Sequence, residues 1–190
     1  NQIPLLSEFY HSEYDCDRHL VRDIVAYIDT DPYYQTDEAY EKINECLHYI
    51  KDSSEKMKVR WSKYLLQIAI DVQIAWSAGT LVGAGRGSGV GFCLLNILGI
   101  TQINPLREKT KTYPWRFLNP ERASVLDIDI DICGSKREAV IQAMKDTYGE
   151  DRVSKVMTLS TEKSRSAILT AARGLKIDND IAQYISSLIV

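Results

Sequence analysis

The 190-residue sequence is long enough to bury a hydrophobic core, since 45% of its residues are hydrophobic and 26% are charged. No run approaches the ~20 apolar residues that a membrane-spanning helix needs, and the chain begins with neither a signal peptide nor an initiator Met. We therefore expect one domain and part of another, without a membrane segment, excised from a longer protein.

The formal charge of −3 conceals an asymmetry along the chain. Residues 1–83 contain 8 Lys and Arg against 14 Asp and Glu, whereas residues 84–176 contain 15 against 10. The second part is therefore basic. A basic region of this kind suits a polyanionic substrate.

The four cysteines lie 30 to 47 residues apart, and no two of them form a C-x-x-C pair. This spacing argues against a zinc ribbon and against a disulfide framework. We expect free thiols, and hence a protein of the reducing cytoplasm.

Residues 1–78 are predicted to be helical scaffold. A first helix follows from apolar residues at helical spacing from about Asp17 to the Asp31-Pro32 pair. A second begins with Thr36 as its N-cap and covers residues 36–50. A third is predicted over residues 55–78, with Gly79 at its carboxyl end.

A short predicted strand over residues 80–82 leads into a segment with five glycines in nine residues. Such a loop before a predicted helix over residues 92–98 can turn its N–H groups towards an anion. The candidate phosphate-binding residues are Gly85, Arg86, Gly87, Ser88 and Gly89. The segment is not a Walker A loop, because no Gly-Lys-Ser/Thr follows. A plain tight turn is the alternative, although Arg86 and Ser88 favour phosphate binding.

Acidic and aliphatic residues alternate strictly over residues 126–132. In a strand, Asp127, Asp129 and Asp131 would share one face and the three isoleucines the other. Carboxylates repel one another unless a cation lies between them, and their oxygens suit Mg²⁺ or Mn²⁺. We predict a metal-binding strand. The alternatives are a charged edge strand and an EF-hand calcium loop, which has Ile132 where its turn needs Gly.

The remaining chain is predicted to contain three further helices and a strand. Ser135 and Glu138 form a capping box for a helix over residues 135–148 that ends at Gly149, and a strand follows over residues 153–159. Thr161 caps the next helix, and a last helix begins near Asp178. This order of elements predicts an α+β domain with a small sheet flanked by helices.

Several motifs of this chain occur, in the same order and at the same spacing, in the alpha subunit of bacterial DNA polymerase III, a C-family replicative DNA polymerase. They are Gly85-Arg86-Gly87-Ser88-Gly89, Leu98-Gly99-Ile100-Thr101 with Asn104-Pro105-Leu106, Arg116-Phe117-Leu118-Asn119-Pro120-Glu121-Arg122, Asp127-Ile128-Asp129-Ile130-Asp131, and Tyr148-Gly149-x-Asp151-Arg152-Val153. The chain resembles that family strongly over residues 79–175. The ordered set, rather than any one motif, carries the resemblance.

The resemblance implies a polymerase-beta-like nucleotidyltransferase palm. Residues 1–78 would be its helical amino-terminal part, 79–159 its core, and 160–190 the start of the thumb. By resemblance, Asp127 and Asp129 are catalytic and bind Mg²⁺ or Mn²⁺, together with Asp131, and the glycine-rich loop binds the nucleotide. Further candidate phosphate contacts are Arg116, Arg122, Lys163, Arg165 and Arg173.

The implied activity is template-directed addition of dNTPs to a primer by two-metal nucleotidyl transfer. The implied partners are primer–template DNA, a dNTP, the remaining domains of the polymerase chain and other replisome subunits. The family's third catalytic carboxylate would lie beyond Val190, so we expect the 190 residues alone to be inactive.

Some positions depart from the family pattern, among them Leu126, where a Pro is usual, and residues 159–165. A phage-borne or otherwise divergent member would fit. The alternatives are a non-catalytic remnant that binds nucleic acid or a partner protein, and a small-molecule nucleotidyltransferase. The 38 residues between Ser88 and Asp127 argue against the latter, since compact members of that superfamily use far fewer.

Overall fold

The computed structural model describes residues 3–122 and 126–189. The chain forms two compact units, a first unit of Asn1–Val153 and a second unit of Ser154–Val190. The helices are α1 (Pro4–Tyr10), α2 (Asp15–Ile28), α3 (Asp37–Met57), α4 (Trp61–Ser77), α5 (Cys93–Ile97), α6 (Arg137–Tyr148), α7 (Ser164–Gly174) and α8 (Asn179–Ser187). None of the helices in the described ranges is long and apolar enough to cross a bilayer.

The start of α3 confirms the predicted N-cap. The Thr36 side chain accepts a hydrogen bond from the Ala39 N–H at 3.2 Å. The helix then continues to Met57, where Lys58 adopts a left-handed conformation with φ of 57°. The helix predicted over residues 55–78 is therefore divided at this point. The division lets Trp61 turn inward, where it is only 2% exposed, and α4 begins there.

The core of the first unit is formed mainly by α2, α3, α4 and α5. Its largest fully buried aliphatic side chains are Leu20, Ile24, Ile43, Leu47, Ile50, Leu65, Leu94 and Leu95, together with Leu118 of the later connection. All five residues of α5 are buried, so this helix lies inside the core. A helix this short is not stable alone and depends on the surrounding packing. The glycine-rich segment precedes α5 and is therefore anchored directly on packed side chains.

Helix α6 is joined to α4 by polar contacts. The Tyr148 hydroxyl donates to Asp71 Oδ1 at 2.8 Å and accepts from Gln67 Nε2 at 2.7 Å. Gly149, with φ of 106°, ends α6 as predicted. The predicted capping box is wrong: Ser135 lies in a 3₁₀ turn and the N-cap is Lys136, because the turn carries the chain one residue further before α6 begins.

The prediction of an α+β palm of the polymerase-beta-like nucleotidyltransferase type, with a small sheet, is contradicted. The described residues are mainly helical and contain no sheet; their one β-pairing is an isolated antiparallel bridge between Val82 and Ile132. The predicted strands over residues 80–82, 126–132 and 153–159 therefore do not form within those ranges.

The physical reason is that alternation of acidic and aliphatic residues shows which side chains are buried. It does not show whether the backbone pairs with a neighbouring strand. The segment at 126–132 does alternate in exposure, but side chains satisfy part of its backbone. The Tyr64 hydroxyl donates to the Leu126 carbonyl at 3.2 Å. Just beyond it, the Cys133 N–H donates to Thr80 Oγ1 at 3.1 Å. An extended segment packed on helices thus gives the same sequence pattern as a half-buried strand.

The second unit is a pair of packed helices. Small residues, Ala172 of α7 together with Ala182 and Ser186 of α8, form its buried interface. The Asp178 side chain caps α8 by accepting from the Asp180 and Ile181 N–H groups, so the predicted start of this helix is confirmed. Helix α7 begins at Ser164 after Lys163, and the prediction of Thr161 as its cap is wrong because residues 161–163 are not helical.

Candidate functional site

The Asp segment, residues 126–132, directs its acidic side chains outward. Asp127, Asp129 and Asp131 are exposed, whereas Leu126 is buried and the three isoleucines are half-buried against the core. The aliphatic side thus fixes the segment on the first unit. The carboxylates consequently line one solvent-facing side, as the alternation predicts, although the backbone is not part of a sheet.

Both ends of the Asp segment are anchored. Tyr64 of α4 holds the Leu126 carbonyl, and the Gly83 N–H donates to the Asp131 carbonyl at 2.8 Å. The second of these bonds brings the start of the glycine-rich loop, Gly83–Gly91, against the end of the Asp segment. The two motifs, separated in sequence, therefore lie side by side.

Glycine suits this contact because a side chain would crowd the neighbouring segment. A Cβ atom added to Gly83 would lie 3.0 Å from the Asp131 Cβ. At the other end of the loop, a Cβ on Gly89 would lie 2.9 Å from Leu95 Cδ1. These two glycines therefore allow the loop to pack against the Asp segment and the core. The exposed residues Arg86, Gly87 and Ser88 remain accessible to a ligand.

Arg86 joins the loop to the Asp segment electrostatically. Its Nη2 lies 2.8 Å from Asp129 Oδ2, and its Nη1 lies 3.8 Å from Asp131 Oδ1. The hydrogen bond to Asp129, followed by the charges of Asp129, Asp131 and Asp127, raises the pKa of Arg86. One guanidinium thus faces three carboxylates and leaves the cluster with a negative formal charge. All of these groups are solvent-exposed, which weakens each pairwise attraction.

Asp127 lies close enough to the anchoring tyrosine to affect its ionisation. Burial raises the pKa of Tyr64, and the Asp127 charge raises it further. Tyr64 therefore remains protonated and continues to donate to the Leu126 carbonyl. Among the residues that the structure describes, no group of three or more His, Cys, Asp or Glu side chains is arranged to hold a metal ion.

Two of the other candidate phosphate contacts, Arg116 and Arg122, form no ion pair with the Asp residues within the described part of the chain. Arg116 and Arg122 are exposed on the connection between the loop and the Asp segment. In the second unit, Arg165 Nε and Nη2 donate to the Ile189 carbonyl at 2.9 and 2.6 Å. Lys163 and Arg173 of that unit are exposed.

Sequence reasoning missed the residues that support the site. Tyr64 and Thr80 hold the Asp segment through single hydrogen bonds. Beneath the loop, Asn96 accepts from the Tyr34 hydroxyl at 3.0 Å and donates to the Thr101 carbonyl at 3.1 Å. Tyr64 lies on a helix that the sequence marks only as scaffold. Asn96, a polar residue within the apolar run at 92–98, was the one available signal.

Comparison with known protein families places this chain among DNA polymerases. The model of the bacterial DNA polymerase III alpha NTPase domain matches residues 18–190. The probable DNA polymerase YorL of Bacillus subtilis (strain 168) is 39% identical over 162 residues, which cover 81% of this chain and 12% of that protein. The DNA-directed DNA polymerase of Bacillus phage SPbeta has the same identity over the same length.

A cellular relative shows the same partial coverage. The DNA polymerase III subunit alpha of Chlamydia pneumoniae is 42% identical over 129 residues, which cover 66% of this chain and 10% of that protein. The matched regions therefore span about an eighth of the length of these relatives or less. Because the family model covers residues 18–190, the chain belongs to the bacterial DNA polymerase III alpha family.

Proposed function

We propose that this chain supplies the nucleotide- and metal-binding part of a DNA-directed DNA polymerase that adds dNTPs to a primer. Asp127 and Asp129 are the catalytic carboxylates in this proposal, and Asp131 is an additional metal ligand. The observation that carries it is the pairing of Arg86 with Asp129 and Asp131. The Asp carboxylates, which can bind cations, and the Arg86 guanidinium, which can bind phosphate, thus lie together on the exposed surface.

The chemistry of the carboxylate donors suits Mg²⁺ or Mn²⁺, and substrate phosphates would complete the coordination that the Asp residues do not form by themselves in the described part of the chain. Carboxylate oxygens are the hard ligands that these ions prefer, and Mg²⁺ is usually bound by one or two carboxylates together with substrate phosphates. Arg86 already provides positive charge to the same carboxylates. A divalent ion, with twice the charge, would offset the repulsion among the carboxylates more strongly than Arg86 does. The exposed positions of Asp127 and Asp129 leave their oxygens accessible.

Bound metal ions would stabilise negative charge on both the attacking and the leaving oxygens of a phosphoryl transfer. The chain's own residues would have three tasks. Asp127 and Asp129 hold the cations, Arg86 offsets the charge of the triphosphate, and the glycine-rich loop positions its N–H groups and the Ser88 hydroxyl near the phosphates. Orientation of the nucleotide by these groups lowers the entropic part of the barrier.

Primer–template DNA, the dNTP, the remaining domains of the polymerase chain and other replisome subunits are the proposed partners. The relatives are far longer than the regions matched here, and we expect the 190 residues alone to bind nucleotide without extending a primer. A primer-extension assay at high protein concentration tests this expectation. Extension that disappears in Asp129→Asn would contradict it and would show a complete site within this chain.

Metal binding is tested by titrating Mn²⁺ and following the free ion by electron paramagnetic resonance. We expect a Mn²⁺ site in the wild type that is lost in Asp127→Asn/Asp129→Asn. The control is Glu13→Gln/Asp23→Asn, which also removes two exposed acidic charges, outside the cluster. Equal Mn²⁺ binding by the Asp variant and the wild type would refute the assignment.

Nucleotide binding is tested by amide chemical shifts on adding a dNTP with Mg²⁺. We expect the shifts to cluster at residues 85–91 and to disappear in Arg86→Ala. The matched control is Arg22→Ala, an exposed arginine of α2. If shifts cluster elsewhere, or if Arg86→Ala leaves them unchanged, the loop is only a turn and the proposal fails.

A further inference from the structure

A cavity of about 420 Å³ lies beside the carboxyl end of the glycine-rich loop. Its volume falls within the roughly 300–1,000 Å³ of typical small-molecule sites. Its lining includes Gly91 and Cys93, at and just after the end of the loop, and Lys109, Lys111, Thr112 and Tyr113 of the following connection. None of the lining residues belongs to the Asp segment, so this cavity is separate from the proposed metal site.

The segment at one side of the cavity is basic. Residues 107–116 contain four basic residues and one acidic residue. Lys109, Lys111 and Arg116 form no ion pair within the described part of the chain, whereas Arg107 is 3.4 Å from Asp31. The opposing charges at the cavity are Glu38 and Glu108, and Lys42, also in the lining, is paired with Glu45 at 2.7 Å. The two lysines of the segment are thus free to meet an anion.

Two aromatic side chains follow those lysines at alternate positions. Tyr113 is 53% exposed and Trp115 is 45% exposed. Their ring centroids lie 6.1 Å apart with an angle of 37° between the planes. Because aromatic rings are usually buried, this much exposed ring surface next to uncommitted lysines indicates a ligand with both a flat apolar part and a negative charge.

We propose that this cavity and the Tyr113–Trp115 pair bind a short stretch of single-stranded DNA. Lys109 and Lys111 bind its phosphates, and a base stacks on Tyr113. Positive groups along the backbone combined with aromatic platforms are the usual features of single-strand binding. Paired bases in a duplex do not offer their faces for stacking. An acidic peptide would use the lysines but would have no use for the exposed rings.

This inference rests on the proposed function to the extent that the chain acts on DNA, but it concerns a different surface. It assigns a role to residues 109–115, which carry none of the nucleotide- or metal-binding residues proposed above. A single strand held here would pass next to Gly91, at the end of the loop. The template strand beyond the primer end is the part of a polymerase substrate that is unpaired.

The experiment measures binding of a fluorescently labelled oligo-dT of ten nucleotides to the 190-residue chain by anisotropy, at several salt concentrations. We expect Lys109→Gln/Lys111→Gln to weaken binding about tenfold or more. The slope of log K against log salt should fall by about 1.4, because each phosphate contact on a single strand contributes about 0.7. Tyr113→Ala should weaken binding at least about fivefold, whereas Tyr113→Phe, which keeps the ring, should bind like the wild type.

Matched controls remove the same groups elsewhere. Lys58→Gln/Lys63→Gln removes two exposed lysines, at the end of α3 and in α4, that form no ion pair among the described residues, and Tyr10→Ala removes an exposed tyrosine of α1. If these variants lose as much affinity as the cavity variants, binding is non-specific and the inference is wrong. It is equally overturned if the wild type does not bind oligo-dT, if Tyr113→Phe loses as much affinity as Tyr113→Ala, or if duplex DNA or poly-glutamate competes as well as unlabelled oligo-dT.

The outcomes also separate this inference from the proposed function. Asp127→Asn/Asp129→Asn should lose Mn²⁺ but keep its affinity for oligo-dT. Lys109→Gln/Lys111→Gln should lose oligo-dT but keep the nucleotide-induced shifts at residues 85–91. If the lysine variant binds oligo-dT normally while those shifts persist, only the single-strand site is refuted.

Discussion

The first and second units are both helical, but they bury very different side chains. Helices α2 to α5 enclose large aliphatic and aromatic residues such as Leu47, Leu65 and Trp61. The α7–α8 pair buries Ala172, Ala182 and Ser186, while Leu175 is 73% exposed and Leu188 is 63% exposed. Because stabilisation grows with the apolar area removed from water, most of the free energy of folding belongs to the first unit.

The difference explains where a precise site can be built. The Asp segment and the glycine-rich loop are held by side chains that are themselves fixed in a packed core. The candidate phosphate contacts Lys163, Arg165 and Arg173 lie on a helix pair with little buried area. Positioning to a fraction of an ångström requires the first kind of support. Four predictions test this contrast, from the largest expected effect to the smallest.

Removing a large buried side chain should separate the units most clearly. Leu65 is fully buried in the first unit, so Leu65→Ala should lower the free energy of unfolding by about 2–5 kcal/mol. Leu175→Ala, the matched change at an exposed leucine of the second unit, should change it by less than about 0.5 kcal/mol. Urea denaturation followed by circular dichroism measures both. Similar losses in the two variants would refute the contrast.

Removing a polar side chain should show the same contrast at a smaller scale. Asn96→Ala leaves the buried Tyr34 hydroxyl and the Thr101 carbonyl without their partner, which should cost about 1–3 kcal/mol. Arg165→Ala loses exposed bonds to the Ile189 carbonyl, which water can replace, and should cost less than about 0.5 kcal/mol. If Arg165→Ala proves the more damaging, the second unit is more tightly held than its burial indicates.

The two units also contain a matched pair of helix caps. Thr36 caps α3 and Asp178 caps α8, and loss of either cap should cost about 1 kcal/mol. Amide hydrogen exchange distinguishes where the cost falls. Thr36→Ala should speed exchange throughout the first unit, whereas Asp178→Ala should speed it only at residues 179–187. Faster exchange in α3 after Asp178→Ala would show that the units unfold together.

The cysteines give the smallest effect, and they report on the first unit alone because the second contains none. A hydrogen bond from Ser135 lowers the pKa of the exposed Cys133, while burial and the neighbouring Cys93 raise the pKa of Cys46. At pH 8, iodoacetamide should therefore modify Cys133 first. Ser135→Ala should raise the pKa of Cys133 and move its pH–rate profile to higher pH. Mass spectrometry at successive times measures the order of modification. Modification of Cys46 before Cys133 would contradict the prediction.

Much of the helical scaffold could be predicted from sequence because it depends on local signals. Thr36 as the cap of α3, a helix start near Asp178 and Gly149 at the end of α6 are all confirmed, because each signal acts within one turn of its helix. The capping box at Ser135 and Glu138 failed although its pattern was present. A 3₁₀ turn at residues 134–136 moved the helix start beyond it, which the residue pattern could not show.

The predicted sheet failed for a different reason. Alternation at residues 126–132 correctly predicted which side chains face solvent, because burial has the same period whether or not a strand has neighbours. Whether a ladder forms depends on distant backbone. Here a hydroxyl of α4 binds the segment at one end, and an isolated bridge between Val82 and Ile132 pairs it at the other. The supporting roles of Tyr64 and Thr80 could not be predicted either, because their hydrogen bonds also join residues that are far apart in the sequence.

The anchoring of the Asp segment has a consequence for the order of folding. Its hydrogen bond to Tyr64 joins residues 62 positions apart in sequence, and the Cys133–Thr80 bond joins residues 53 apart. Contacts within α3 and α4 close loops of a few residues and form on a microsecond timescale, whereas each long-range contact must first overcome the entropy of loop closure. We therefore expect the helices to form early and the acidic cluster to assemble late. A chain just emerging from the ribosome would be helical well before its carboxylates converge.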